Sequence, residues 1–203
     1  MHSVTFEQQL INPSKIICIG RNYLAHIREL GNAVPDDLVV FLKPNSAITQ
    51  TLHAEHMGEA LHYEAELAYL YQQGKFVAVA ASLDLTKRAL QTKLKDKGLP
   101  WEKAKAFDQS ALFSEFVAIS DNNEPLSIVL TIDGCIRQKE SNTLMIHKPS
   151  QILQEVESWL TLEDGDIVMT GTPKGVGQVN ENSLFVGQVM RGDDCLVEAR
   201  WQS

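Results

Sequence analysis

The amino-acid sequence predicts an α+β or mostly β fold, and three observations lead there. Strand-like segments outnumber helix-like ones, and the two kinds do not alternate in the regular order that builds a doubly wound parallel sheet. Short apolar runs and apolar/polar alternation continue from residue 16 to near Trp201, uninterrupted by a repeat, a low-complexity tract or a linker. With 203 residues, 44% of them hydrophobic and 22% charged, the chain can bury one sizeable core. One domain over residues 1–203 is therefore expected, with 1–14 as a short N-terminal extension.

In chain order, Ile16 to Ile19 reads as a buried strand ending at Gly20, and Arg21 to Leu30 as a helix with Tyr23, Ile27 and Leu30 at helical spacing before Gly31. Leu38 to Leu42 is a second strand, stopped by Pro44. His62 to Leu70 is the third. Asp84 to Lys97 reads as a helix that Gly98 and Pro100 end. Ser127 to Ile132 runs into Asp133-Gly134, a turn signal, and Cys135 to Gln138 returns as its hairpin partner. Ser150 is placed as the cap of a helix whose apolar stripe is Ile152, Leu153, Val156, Trp159 and Leu160. Glu163-Asp164-Gly165 turns into a strand from Asp166 to Thr170. A glycine-rich loop and two short strands complete the chain.

Composition narrows the function. The balance of 18 basic to 26 acidic residues gives a net charge of -8, which disfavours nucleic acid or an anionic membrane as the main partner. Cys18, Cys135 and Cys195 are widely spaced with no Cys-x-x-Cys, so neither a disulfide framework nor a structural zinc is expected, and a reducing, cytoplasmic compartment is. Residues 1–10 lack an apolar signal core, and no window approaches about 18 consecutive apolar residues.

The strand His62-Tyr63-Glu64-Ala65-Glu66-Leu67-Ala68-Tyr69-Leu70 sets Glu64 and Glu66 on one face with His62, Ala68 and Leu70. Both faces carry apolar residues. Two carboxylates crowded on a partly buried surface need a proton, a cation or a metal. An exposed edge strand with two solvated glutamates is the alternative, and the pair alone does not decide. Asp84, Arg88 and Gln91 fall near one face if Asp84 opens the helix, either as a surface ion pair or as a third carboxylate completing an all-oxygen set for Mg²⁺ or Mn²⁺. His26 and Glu29, three apart, are spaced either for a carboxylate to orient a general base or for a solvated surface pair. His53, His56 and His147 read as loop residues. Gly171-Thr172-Pro173-Lys174-Gly175-Val176-Gly177 is no nucleotide fingerprint, but its amides and the Thr172 hydroxyl suit a carboxylate or phosphate, or simply join two strands.

Six collinear segments together resemble the fumarylacetoacetate hydrolase family: Gly20-Arg21-Asn22-Tyr23, Phe41-Leu42-Lys43-Pro44, His62-Tyr63-Glu64-Ala65-Glu66-Leu67, Leu83-Asp84-Leu85-Thr86, Lys105-Ala106-Phe107-Asp108 and Thr170 to Gly177. The small single-domain acylpyruvase and oxaloacetate-processing branch is the most similar. The resemblance implies a mixed β-roll, a homodimer, and Mg²⁺ or Mn²⁺ held by Glu64, Glu66 and Asp84. It further implies that His26 and Glu29 form a mobile water-activating dyad, that Lys105 contacts the substrate carbonyl or developing oxyanion, and that Arg21, Arg88, Gln91 and Thr172 bind the substrate. The expected activity is metal-dependent cleavage of the carbon-carbon bond of acylpyruvates, such as acetylpyruvate or fumarylpyruvate, to pyruvate and a carboxylic acid. Oxaloacetate decarboxylation or keto-enol tautomerisation is the rival, and a silent metal- and dicarboxylate-binding protein the third reading. Arg137-Gln138, Thr143 and Met145-Ile146 also resemble a family segment near the site, without an assigned role. There are two departures. Ala89 stands where an acid is often seen, and the stretch from Leu70 to Asp84 is shorter than usual, with an abrupt junction at Gly74-Lys75-Phe76. A helix is usually found there, so residues missing at that junction are expected rather than a trimmed loop.

Overall fold

The core lies on both sides of one mixed sheet. In the computed structural model, which describes residues 1–203, seven strands follow the spatial order Val39–Pro44, Lys15–Gly20, Ile167–Met169, Ala65–Gln72, Lys75–Asp84, Ala111–Phe113 and Ile48–Thr49, and an eighth, Val117–Ala118, pairs with Lys75–Asp84. Lys15–Gly20 runs parallel to Ile167–Met169, and Ala111–Phe113 to Ile48–Thr49; the other pairs are antiparallel. A second, antiparallel sheet orders Cys135–Ser141, Ser127–Ile132, Leu184–Arg191 and Asp194–Gln202. Strand alternation decides how the two meet. Ala65, Leu67 and Tyr69 share a buried cluster with Ile128, Leu130, Phe185 and Trp201 of the second sheet. Ala68 and Leu70 point the other way, into a cluster with Ile16, Cys18, Phe41 and Ile167. Residues 1–14, expected as an extension, hold a small hairpin, Val4–Phe6 with Gln9–Ile11, whose Val4 and Phe6 seal that second face. The result is the mixed β-roll that the resemblance implies.

The predicted strands are present, and several boundaries move. The helix expected from Arg21 to Leu30 covers only Leu24–Glu29, because Arg21 has φ +56°, outside the right-handed helical region. The helix expected from Asp84 begins at Arg88 and ends at Asp96. Asp84 instead closes the strand Lys75–Asp84, which periodicity missed. Every residue from Ala78 to Asp84 is buried, so this central strand shows no alternation to read. Gln72 pairs directly with Lys75, leaving Gln73 and Gly74 as a two-residue hairpin turn with φ +51° and +79°. The junction is therefore a tight hairpin turn where the resemblance implies a helix. The last α-helix, Pro149–Glu157, starts from Lys148, whose N–H donates to the Gln151 side chain at 2.8 Å, and not from Ser150. It ends before Trp159, which is 53% exposed and outside the buried stripe.

Candidate metal centre

Strand pairing brings the three carboxylates together. Ser82 pairs with Glu66 and Leu83 with Ala65, and the ladder continues as the Asp84 N–H donates to the Glu64 carbonyl at 2.8 Å. Asp84 thus lies opposite Glu64, and Glu66 is two residues along on the same face. One ligand oxygen from each of the three lies within 4.8 Å of the others. Glu64, Glu66 and Asp84 are only 6%, 2% and 1% exposed, which rules out the solvated edge strand. Asp84 shares no helix face with Arg88 and Gln91. They reach the same site from the next element: Arg88 Nη2 pairs with Glu64 Oε1, and Arg88 Nη1 donates to Gln91 Oε1 at 2.8 Å.

Two buried lysines balance the acids. Lys105 Nζ donates to Glu64 Oε2 at 2.7 Å, Asp84 Oδ2 at 2.5 Å and the Thr86 hydroxyl at 2.7 Å. Burial would lower its pKa, but Asp84 and Glu64 outweigh that and raise it, so Lys105 carries its charge. Lys43 is fully buried, 2.8 Å from Asp84 Oδ1, and donates to the Ser110 hydroxyl at 2.9 Å and to the Lys105 carbonyl. Sequence reading quoted Lys43 without assigning it a role. The signal was there, since alternation on Val39–Pro44 sets Lys43 on the inward face with Phe41.

The two glutamates titrate in opposite directions. Burial would raise the Glu64 carboxyl, but Lys105, Arg88 and His26 hold it well below the usual range. Glu66 has only the Gly171 N–H, at 2.7 Å, and burial together with Asp84 and Glu64 pushes its carboxyl well up. Glu66 is therefore a buried acid short of positive charge, and Asp84 Oδ1 is a buried oxygen without an aligned hydrogen bond. A hard divalent cation fits this all-oxygen donor set. Mg²⁺ and Mn²⁺ prefer such ligands, and either would relieve both deficits.

His26 and Glu29 sit on the short helix Leu24–Glu29 at the side of the same cleft. His26 is buried, and its Nδ1 lies 3.1 Å from Glu29 Oε2. In the neutral imidazole that contact favours the proton on Nδ1, with Nε2 as the acceptor. Glu29 Oε1 accepts the Gly175 N–H at 2.9 Å, tying the helix to the glycine-rich loop. Gly175 has φ +99°, and a Cβ there would meet the Arg137 carbonyl at 2.1 Å, so the loop needs glycine at this point. The loop's polar groups largely serve the protein itself. Gly171 holds Glu66, and the Thr172 hydroxyl donates to the Ala65 carbonyl at 2.9 Å while accepting from Gln138 Nε2 at 2.8 Å. Arg21, Thr172, Arg88 and Gln91 line the cleft with the carboxylates.

Comparison with known proteins bears on this geometry. The fumarylacetoacetate (FAA) hydrolase C-terminal family matches residues 15–199. The chain is 40% identical over 182 residues to oxaloacetate tautomerase FAHD1, mitochondrial, of Arabidopsis thaliana, covering 82% of each. It is 37% identical over 181 residues to oxaloacetate tautomerase YcgM of Escherichia coli, covering 81% of this chain and 83% of that one. Among solved structures, fumarylpyruvate hydrolase from Pseudomonas aeruginosa in complex with Mn²⁺ and pyruvate is similar, with a TM-score of 0.88 and 28% identity over 99% of this chain and 95% of that one.

Proposed function

The chain belongs to the fumarylacetoacetate hydrolase family, and from that premise we propose that it interconverts the keto and enol forms of oxaloacetate, with Mg²⁺ or Mn²⁺ held by Glu64, Glu66 and Asp84. The observation that carries the chemistry is Lys105, a buried ammonium hydrogen-bonded to two of the three buried carboxylates. A divalent cation held by these carboxylates would supply Lewis acidity to a bound oxo acid. Ketonisation and enolisation each move one proton between C3 and the C2 oxygen. His26, with Nδ1 committed to Glu29, takes the C3 proton on Nε2 and returns it in the reverse direction. Lys105 turns one of its three N–H groups, held by Glu64, Asp84 and Thr86, toward the C2 oxygen as charge develops there. That oxygen takes its enol proton from solvent, to which His26 releases the C3 proton. Arg88 and Gln91 hold the C1 carboxylate end. The names of two relatives, at 40% and 37% identity, favour this reading over hydrolysis.

Hydrolysis of acylpyruvates such as acetylpyruvate or fumarylpyruvate is the second reading. It is favoured by the likeness to the fumarylpyruvate hydrolase structure, and the His26–Glu29 pair suits activation of water equally well. Decarboxylation of oxaloacetate would draw on the same enolate stabilisation. A homodimer belongs to the proposal too, on family membership, and is checked by light scattering.

The test uses chelator-stripped protein with Mg²⁺ or Mn²⁺ restored. Decay of the oxaloacetate enol by its ultraviolet absorbance is followed beside pyruvate release from oxaloacetate and from acetylpyruvate. Metal-dependent enol decay without pyruvate release supports tautomerisation. Pyruvate from acetylpyruvate moves the assignment to the hydrolase, pyruvate from oxaloacetate moves it to the decarboxylase, and no turnover of either substrate removes all three.

A further inference from the structure

The cations at the floor of the cleft are paired with carboxylates, and those at its mouth are not. At the floor, Arg88 and Lys105 pair with Glu64, and Lys43 and Lys105 with Asp84. At the mouth, Arg21 and Lys95 line the same cleft, and neither has a carboxylate within 4.0 Å. Arg21 Nε is buried without a hydrogen-bond partner, and Nη2 reaches only the Asn32 side chain, at 3.4 Å. Lys95 comes from the helix Arg88–Asp96, one turn beyond Gln91. Its ammonium lies 4.6 Å from the centre of the Trp101 ring, which also lines the cleft. The aromatic face holds the charge against the wall without neutralising it.

Two cations on one partly buried wall repel each other and lose hydration, a cost that an anion between them would reverse. Burial and then Arg21 indeed hold the Lys95 pKa down to about 8. Glu64 acts on Lys95 only from a distance and no carboxylate of the chain pairs with either cation, so a paired counterion has to come from the ligand.

We propose that Lys95, with Arg21 beside it, receives the distal carboxylate of the substrate and thereby selects 2-oxo dicarboxylates over 2-oxo monocarboxylates. The inference rests on the oxo-acid reading above only for which end of the ligand meets the floor. With the C1 carboxylate and 2-oxo group there, the C4 carboxylate of oxaloacetate extends toward the mouth. Lys95 is a specificity-determining residue in this proposal and takes no part in proton transfer.

A pair of stable 2-hydroxy acids tests it without turnover. L-malate carries the distal carboxylate and lactate lacks it, and neither enolises nor decarboxylates. Titration calorimetry on Mn²⁺-loaded protein measures both affinities. A charge-assisted contact is worth about ten- to a hundredfold in affinity. The unaltered protein is therefore expected to prefer malate by at least about tenfold, Lys95→Gln to lose most of that preference with lactate binding unchanged, and Lys95→Arg to keep it. No malate preference in the unaltered protein, a preference that survives in Lys95→Gln, or an equal loss of both ligands would overturn the proposal. Because turnover is not read, failure of the tautomerase assignment leaves this ratio intact, and failure of the ratio leaves the tautomerase assignment intact.

Discussion

Lys43 places its ammonium 2.8 Å from Asp84 Oδ1 with no part of its side chain exposed, at an inward-facing position of the edge strand Val39–Pro44. It also donates to both the carbonyl and the hydroxyl of Ser110. Removing it takes from Asp84 one of its two ammonium partners, leaving Lys105, and takes a buried donor from the Lys105 and Ser110 carbonyls. Lys43→Met, similar in length, should cost about 3–5 kcal/mol. For a chain of this size that is a fall in Tm of roughly 6–20 °C, read by calorimetry. A fall below about 2 °C would show that Lys105 alone balances Asp84.

Glu66 carries the opposite imbalance. Its carboxyl is pushed up by burial, Asp84 and Glu64, so the metal-free protein holds an acid it would be better without. Glu66→Gln keeps an oxygen for the Gly171 N–H and removes the ionisable group. The metal-free variant should melt at or above the metal-free parent. Mn²⁺ at a hundred times its Kd, worth about 2.7 kcal/mol to the parent, should then no longer raise the variant's Tm. A preserved Mn²⁺ shift would remove Glu66 from the ligand set.

His26 separates chemistry from metal binding. His26→Ala should lower turnover by about 10²–10⁴-fold, the range for a lost general base, while the Mn²⁺-induced rise in Tm persists. Loss of both together would place His26 in the metal site.

Much of this site was legible in the sequence, for reasons that differ by residue. Glu64 and Glu66 stood out because period-2 alternation sets two acids on a face shared with Ala68 and Leu70. His26 and Glu29 were legible as an i, i+3 pair. Asp84 was placed on the wrong element, because an apolar strand buried on both faces has no periodicity and its end merges with the helix that follows. Lys43 showed only that it faces inward, from the alternation of its strand, and Lys95 had no local signal at all. Their roles depend on what faces them across the fold, Asp84 in one case and Arg21 with Trp101 in the other. Capping misled at Ser150 because Pro149 already occupies the first helical turn and moves the cap back to Lys148.

Asp166 ties the N-terminal segment to the sheet and sets an acid limit on stability. Its buried carboxylate accepts the Ser14 N–H and hydroxyl at 3.0 and 2.7 Å and the Glu163 N–H at 2.9 Å, and it pairs with Lys15. Burial would raise its pKa, but the Lys15 ammonium and these donors outweigh that and lower it. With the folded value below the unfolded one, near 3.9, the stabilisation is fully present above about pH 4 and lost as pH falls through the folded value. Asp166→Asn should therefore lower Tm at pH 7 and flatten its decline below pH 4. A Tm profile parallel to that of the parent would disprove the linkage.

Gln138 joins the second sheet to the site. A register shift after Leu130 places it inward, where its Oε1 accepts the Ala65 N–H at 2.9 Å and its Nε2 donates to the Thr172 hydroxyl and the Pro173 carbonyl, each at 2.8 Å. The amide is matched on both sides, with an acceptor facing a donor and a donor facing two acceptors. Gln138→Leu leaves these buried partners unpaired and should cost about 1–3 kcal/mol. Gln138→Glu has nearly the same shape but turns a second oxygen toward two acceptors, so it should be the more damaging change at neutral pH. Faster hydrogen exchange at the Gly171 and Gly175 amides, which hold Glu66 and Glu29, would be the local signature. If Gln138→Glu is tolerated better than Gln138→Leu, the amide's donor side is not what positions the loop.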